Sequence, residues 1–120
     1  MSLSTHTLPK EERLHGKKDI SRLLAEGRFG TVAQLKYCIR DGNGLPYSRI
    51  MVSVPKKLFK RAVKRNLIKR RLRESYRLQK RLPGTEGGSD IMFIYGTKEI
   101  LPFKEIYALV GQVIGKAGAK

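Results

Sequence analysis

The stretch AVKRNLIKRRLRE, residues 62 to 74, carries six Lys or Arg among thirteen residues and a single acid, Glu74. From Lys56 to Arg81 the basic residues number thirteen of the chain's 26, still against that one carboxylate. A solvated helix interleaves both signs, because Glu and Lys four residues apart stabilise each other by about 0.2–0.5 kcal/mol. Here like charges stand four apart: Lys60 with Lys64, Arg61 with Arg65, Arg65 with Lys69, Lys69 with Arg73. Each such pair costs a similar amount, so the pattern predicts a bound polyanion that neutralises the row. Phosphates are the natural ligands of ammonium and guanidinium groups, and Asn66 adds a donor and an acceptor for a base, ribose or phosphate. The expected contacts are Lys56, Lys57, Lys60, Arg61, Lys64, Arg65, Asn66, Lys69, Arg70 and Arg73.

Other chemistry is sparsely provided for. General acid–base work on a phosphate ester calls for paired histidines or carboxylates in a cleft. The two histidines, His6 and His15, fall in or beside the N-terminal arm, and no acidic cluster has the look of a catalytic metal site. The lone Cys38 cannot close an intramolecular disulfide, which makes a reducing cytoplasm the default. The N-terminus lacks an apolar core for a secretory signal, and no apolar run has the length of a membrane span, so no membrane partner is expected.

The elements that must position the basic row follow from periodicity. At 120 residues and net charge +16, one domain is expected over 1–120, with a flexible arm over about 1–12 and nucleic acid as the first candidate partner. KKDISRLLAEG (17–27) reads as a short helix with Asp19 as N-cap and Gly27 as its stop. QLKYCIR (34–40) and SRIMVSV (48–54) alternate as half-buried strands, separated by a turn at 41–46. A long helix is predicted over roughly 58–81, then a short apolar strand at 91–95 and an amphipathic helix at 102–118. The order α-β-β-α-β-α gives an α+β sandwich with helices on one small sheet.

In the long helix Leu58, Ala62, Ile68, Leu72 and Tyr76 share one face, which Arg65 and Lys69 interrupt. The C-terminal half is therefore expected to dock through Ile68, Leu72 and Tyr76, and the N-terminal half to present Arg61, Arg65 and Lys69 outward. The strand faces left over by the apolar alternation are Lys36, Cys38 and Arg40 on one strand and Arg49, Met51 and Ser53 on the next. Together they predict a shallow basic trough under the first helix, with room for an unpaired nucleic-acid strand held by backbone contacts and stacking.

FKRAVKRNLIKRRLRESYR resembles the signature of the bacterial ribonuclease P protein component, through Ala62, Arg65, Asn66, Ile68, Lys69, Arg70, Leu72 and Arg73. Looser likeness extends over most of the chain: Arg13-Leu14, the helix ending at Gly27, VPKK before the long helix, and DIMFIY with the closing helix. The resemblance implies a ribosomal protein S5 domain 2-like sandwich with a left-handed βαβ crossover, against the usual hand. It implies a non-catalytic subunit of the particle that removes the 5′ leader of precursor tRNA. The particle's RNA would be the catalyst and would hold Mg²⁺ together with the substrate. The partners would be that catalytic RNA and precursor tRNA, with no protein partner expected. The leader would lie in the trough, completed from the first helix by Ile20 and Leu24, where members often carry Phe. The family's Arg-Asn-Arg reads Arg65-Asn66-Leu67 in this chain. A ribosomal or other structural RNA-binding protein is the alternative; a DNA-binding protein would want a helix-turn-helix or dimer motif that the sequence lacks.

Overall fold

A computed structural model describes residues 10–79 and 88–117. Its helices are α1 (Lys17–Glu26), α2 (Ala62–Gln79) and α3 (Phe103–Lys116). The strands are β1 (Arg28–Val32), β2 (Leu35–Asp41), β3 (Arg49–Ser53) and β4 (Ser89–Tyr95), in the sheet order β1-β2-β4-β3. The β1/β2 and β2/β4 pairs are antiparallel, and β3/β4 is parallel, so β3-α2-β4 is the βαβ unit. The α+β class holds, with one strand more than the periodicity predicted.

That strand, β1, closes a two-residue hairpin through Ala33 and Gln34. Ala33 takes a φ of 50°, a left-handed conformation that turn sequences usually assign to Gly, Asn or Asp. Gly30 lies inside β1 because Tyr37, its partner on β2, lays its ring across it; a Cβ there would stand 2.2 Å from the Tyr37 hydroxyl oxygen. Arg28 fastens the strand at both ends of the fold, donating to the Asp41 carboxylate at 2.8 Å and to the Lys116 carbonyl at the end of α3 at 2.7 Å.

Alternation along the strands sends Leu35, Tyr37, Ile39, Ile50, Val52, Ile91, Phe93 and Tyr95 to one face, where α2 and α3 cover them. From α2 come Ile68, Leu72 and Tyr76, and from α3 Ile106, Val110, Val113 and Ile114, all buried. The docking predicted for the C-terminal half of α2 is thus observed. Ala62 does not extend this stripe, being exposed at the start of α2, and Leu58 packs half-buried against the same core from the 55–61 turn rather than from the helix. On the opposite face a smaller cluster of Leu14, Leu23, Cys38 and Met92 forms beneath α1. Asp19 is not the α1 N-cap; Gly16 holds that position, and Asp19 sits in the first turn facing Arg49. The arm predicted to about residue 12 lies mostly outside the described residues, but Lys10–Glu12 form a 3-10 turn and Leu14 N–H donates to the Ile50 carbonyl at 2.7 Å.

Tyr76 makes alkaline stability a readout of this packing. Burial chiefly, aided by the negative charge of Glu12 and opposed by a hydrogen bond with Ser48, pushes its phenol up to about 12. An unfolded Tyr ionises near pH 10, so between about pH 10 and 12 the native state keeps a proton that the unfolded chain gives up. Tyr76 therefore contributes stability that is present below about pH 10 and lost as pH rises through about 12. Denaturant unfolding of the protein and of Tyr76→Phe across that window shows the wild-type advantage falling by about 2–3 kcal/mol. Parallel curves for the two proteins contradict the burial of this hydroxyl.

Candidate nucleic-acid interface

The basic row divides by exposure. Lys56, Lys57, Lys60 and Arg61 lie exposed on the turn before α2, and Lys64, Asn66, Arg70 and Arg73 lie exposed on the helix. Asn66, Arg70 and Arg73 follow the i, i+4, i+7 spacing of one outward stripe, opposite Ile68, Leu72 and Tyr76. Arg65 and Lys69 are half-buried rather than outward, because their angular positions lie near the docked face. The Arg65 guanidinium is turned back: Nη1 donates to the Phe59 and Lys60 carbonyls, both at 2.8 Å. It thereby holds the Lys56–Arg61 turn against the helix, a positioning task that spacing does not disclose. Arg71, absent from the expected contacts, is likewise occupied, donating to the Leu101 carbonyl at 2.7 Å at the approach to α3. Arg77 pairs with Glu74. Lys80 and Arg81 lie outside the described residues.

The predicted trough is altered by what covers it. Cys38 is fully buried beneath α1, its thiol donating to the Leu23 carbonyl at 3.4 Å, so it lines no surface. Burial pushes that thiol up and keeps it protonated. Arg49 is no free cation: it grips the fully buried Asp90 with two hydrogen bonds, 2.9 and 2.8 Å, and Asp19 with a third at 3.1 Å. The Asp90 hydrogen bond leads in raising the already high Arg49 pKa. Arg40 is similarly spent on Glu26, at 3.0 Å, and lies 3.8 Å from Asp90. Asn43 is a third residue on Asp90, donating to it at 2.9 Å while its own oxygen accepts from Leu45 N–H at 2.8 Å. These arginines staple α1 and the 41–49 loop to the sheet. Local pattern does not disclose this, because Asp19, Glu26 and Asp90 are far from them along the chain.

What stays open on this face is Lys36, exposed, with Met51 and Ser53 half-buried and Leu24 exposed at its side of α1. A cleft of about 500 Å³ runs past the outer edge of β3, lined by Arg13, His15, Ile20, Met51, Val52 and Arg73. Arg73 belongs to the α2 stripe, whereas Ile20 and Met51 belong to the α1 side of the sheet. The cleft therefore joins the basic helix to the open sheet face. Arg13 and His15 are not among the contacts that residue pattern predicts. The parallel bridge of Arg13 to Ile50 that brings them there is a tertiary event with no local signal.

Among the described residues no three of His, Cys, Asp and Glu come together as metal ligands, and no helix is long and apolar enough to cross a membrane. The arrangement sets the exposed cations of α2 on one side of the cleft and the open sheet face on the other.

Known proteins share both the sequence and the fold. A family model described as Ribonuclease P matches residues 8–118. The ribonuclease P protein component of Porphyromonas gingivalis is 36% identical over 115 residues, spanning 94% of this chain and 74% of that protein. The component from Dictyoglomus thermophilum is 43% identical over 74 residues, 62% of this chain and 60% of it. Among solved structures, the RNase P protein from Thermotoga maritima matches with a TM-score of 0.74 at 27% identity, over 88% of this chain and 96% of that one. The RNase P protein of Staphylococcus aureus matches with a TM-score of 0.72 at 25% identity, over 87% and 93%.

Proposed function

Because the chain belongs to the ribonuclease P protein family, whose role is the 5′ maturation of tRNA, we propose a division of labour between its two surfaces. The protein is a subunit of ribonuclease P, and its partner is the RNA of that particle. On our reading the exposed Lys56–Arg61 turn and the Lys64, Asn66, Arg70 and Arg73 stripe hold that RNA. The open sheet face holds the 5′ leader of precursor tRNA. The cleavage chemistry belongs to the RNA in the cytoplasm, and the protein contributes affinity and placement. Magnesium fits the RNA and substrate phosphates better than this chain. Of its carboxylates, Asp90 is closed in by arginines, and no cluster of ligands converges among the described residues.

The cleft past β3 is the observation that carries this reading. A strand leaving the RNA-binding helix at Arg73 meets Met51 and then Lys36 without leaving the protein surface. Lys36→Glu tests it. Its side chain is exposed and outside the core, so the fold and assembly with the RNA subunit stay intact. Precursor tRNA binds the assembled particle more weakly by about 1–2 kcal/mol, the scale of replacing one phosphate attraction near a surface by a repulsion. Mature tRNA, which has no leader, binds as before. Equal weakening of precursor and mature tRNA assigns Lys36 to general assembly, and no weakening of either removes the leader from this face.

A further inference from the structure

Phe29 is the one strand-borne aromatic ring on the α1 side of the sheet among the described residues; Tyr37, Phe93 and Tyr95 alternate to the other side. It is 61% exposed, the most of any aromatic among the described residues. The ring pairs of the fold, Phe59 with Tyr95, Tyr76 with Phe93 and Phe103 with Tyr107, do not include it. An apolar ring held in water on a rigid strand costs hydrophobic free energy that a stacked partner would recover.

Its place in the register gives it a neighbour. Thr31, Lys36, Ile94 and Ser53 form one row across all four strands on the same face, Thr31 and Lys36 exposed and Ile94 and Ser53 half-buried. Phe29 stands opposite Cys38, diagonal to Lys36, at about the 7–8 Å over which long side chains on adjacent strands cooperate. From the cleft at β3 to β1 the row spans three interstrand steps, roughly 14 Å. Resting on the leader reading above, we propose that Phe29 is a stacking platform for an unpaired base of the 5′ leader, at the far end of a track that enters by the β3 cleft and crosses the sheet. Lys36 holds the adjoining phosphate. Single-stranded RNA is the occupant because the ring is flanked by a cation on a chain of net charge +16, a charge that opposes apposition of a second copy. Base stacking on an aromatic side chain tolerates any base, which suits leaders of varied sequence.

The experiment uses the full chain assembled with its RNA subunit. Affinity is measured for one precursor tRNA carrying a leader long enough to cross the sheet, and for the same tRNA with the leader cut back to the cleft. Phe29→Ala and Phe29→Leu weaken the long-leader substrate by about fivefold to tenfold, the lower end of base–aromatic stacking, and leave the short-leader substrate unchanged. Phe29→Tyr, which keeps the ring, binds like the parent. Lys36→Glu runs in parallel. If it weakens the long-leader substrate while Phe29→Ala does not, the track stops short of β1 and the proposal is overturned, with the leader reading intact. If neither variant has an effect, both ideas fall. If Phe29→Ala weakens both substrates alike, or changes only the oligomeric state of the protein, Phe29 serves folding or self-association and the proposal is overturned.

Discussion

Raising monovalent salt from about 50 to about 200 mM weakens the complex with the ribonuclease P RNA by about three to four orders of magnitude. The size of the effect follows from the seven cations that stand exposed between Lys56 and Arg73: Lys56, Lys57, Lys60, Arg61, Lys64, Arg70 and Arg73. Each phosphate they neutralise releases condensed counterions, and the affinity falls with the logarithm of salt in proportion to their number. Arg65 and Arg71 are left out because their guanidiniums already serve backbone carbonyls. Titration of fluorescent RNA at several salt concentrations gives the slope directly. Replacing any one of the seven by Ala lowers the slope by about one, without a change in melting temperature. A nearly flat response would falsify the clamp outright.

Arg49→Ala lowers folding stability by about 3–5 kcal/mol, the scale of leaving a buried carboxylate without its ion partner. Asp90 has no exposed surface, and Arg49 supplies its bidentate partner; Arg40 at 3.8 Å and Asn43 at 2.9 Å are left to compensate. Denaturant unfolding of the variant measures the change. Asp90→Ala combined with Arg49→Ala costs less than the two single substitutions summed, since each removes the other's burden. If Arg49→Ala melts like the parent but binds precursor tRNA poorly, Arg49 is an RNA-facing residue after all and the staple is wrong. Strand alternation alone places this arginine among the leader contacts. Alternation assigns the correct face, but it does not report the carboxylates that other elements bring to that face.

The same limit explains most of what stays illegible in the sequence. Ile68, Leu72 and Tyr76 are legible because a buried helical stripe repeats at fixed angles. The start of α2 is not, since Lys56 to Arg61 have residue types as good for a helix as for a turn, and the turn is held by Arg65 reaching back to Phe59 and Lys60. β1 escapes notice for two local reasons: its hairpin uses Ala33 where a glycine would announce a turn, and Gly30 weakens it as a strand until Tyr37 covers it. Cys38 alternates correctly with Lys36 and Arg40, yet α1 closes over it alone. The trough is thus half legible. The cleft is not legible at all, because it joins Arg13 to Arg73, residues distant along the chain that only the tertiary fold brings together.

The sheet order has a consequence for how the protein comes into being. β4, the last of the described strands to be synthesised, lies between β2 and β3 and hydrogen-bonds to both. Until residue 95 has left the ribosome, β3 has no neighbour along that edge, and Ile68, Leu72 and Tyr76 have no completed surface to settle on. Pairings so distant along the chain close slowly. During that interval the segment from Lys56 to Arg81, with half of all the basic residues, has been synthesised ahead of the strand that completes its support. Nascent chains fold in the company they keep. In this one the basic row is complete before the sheet it docks on is.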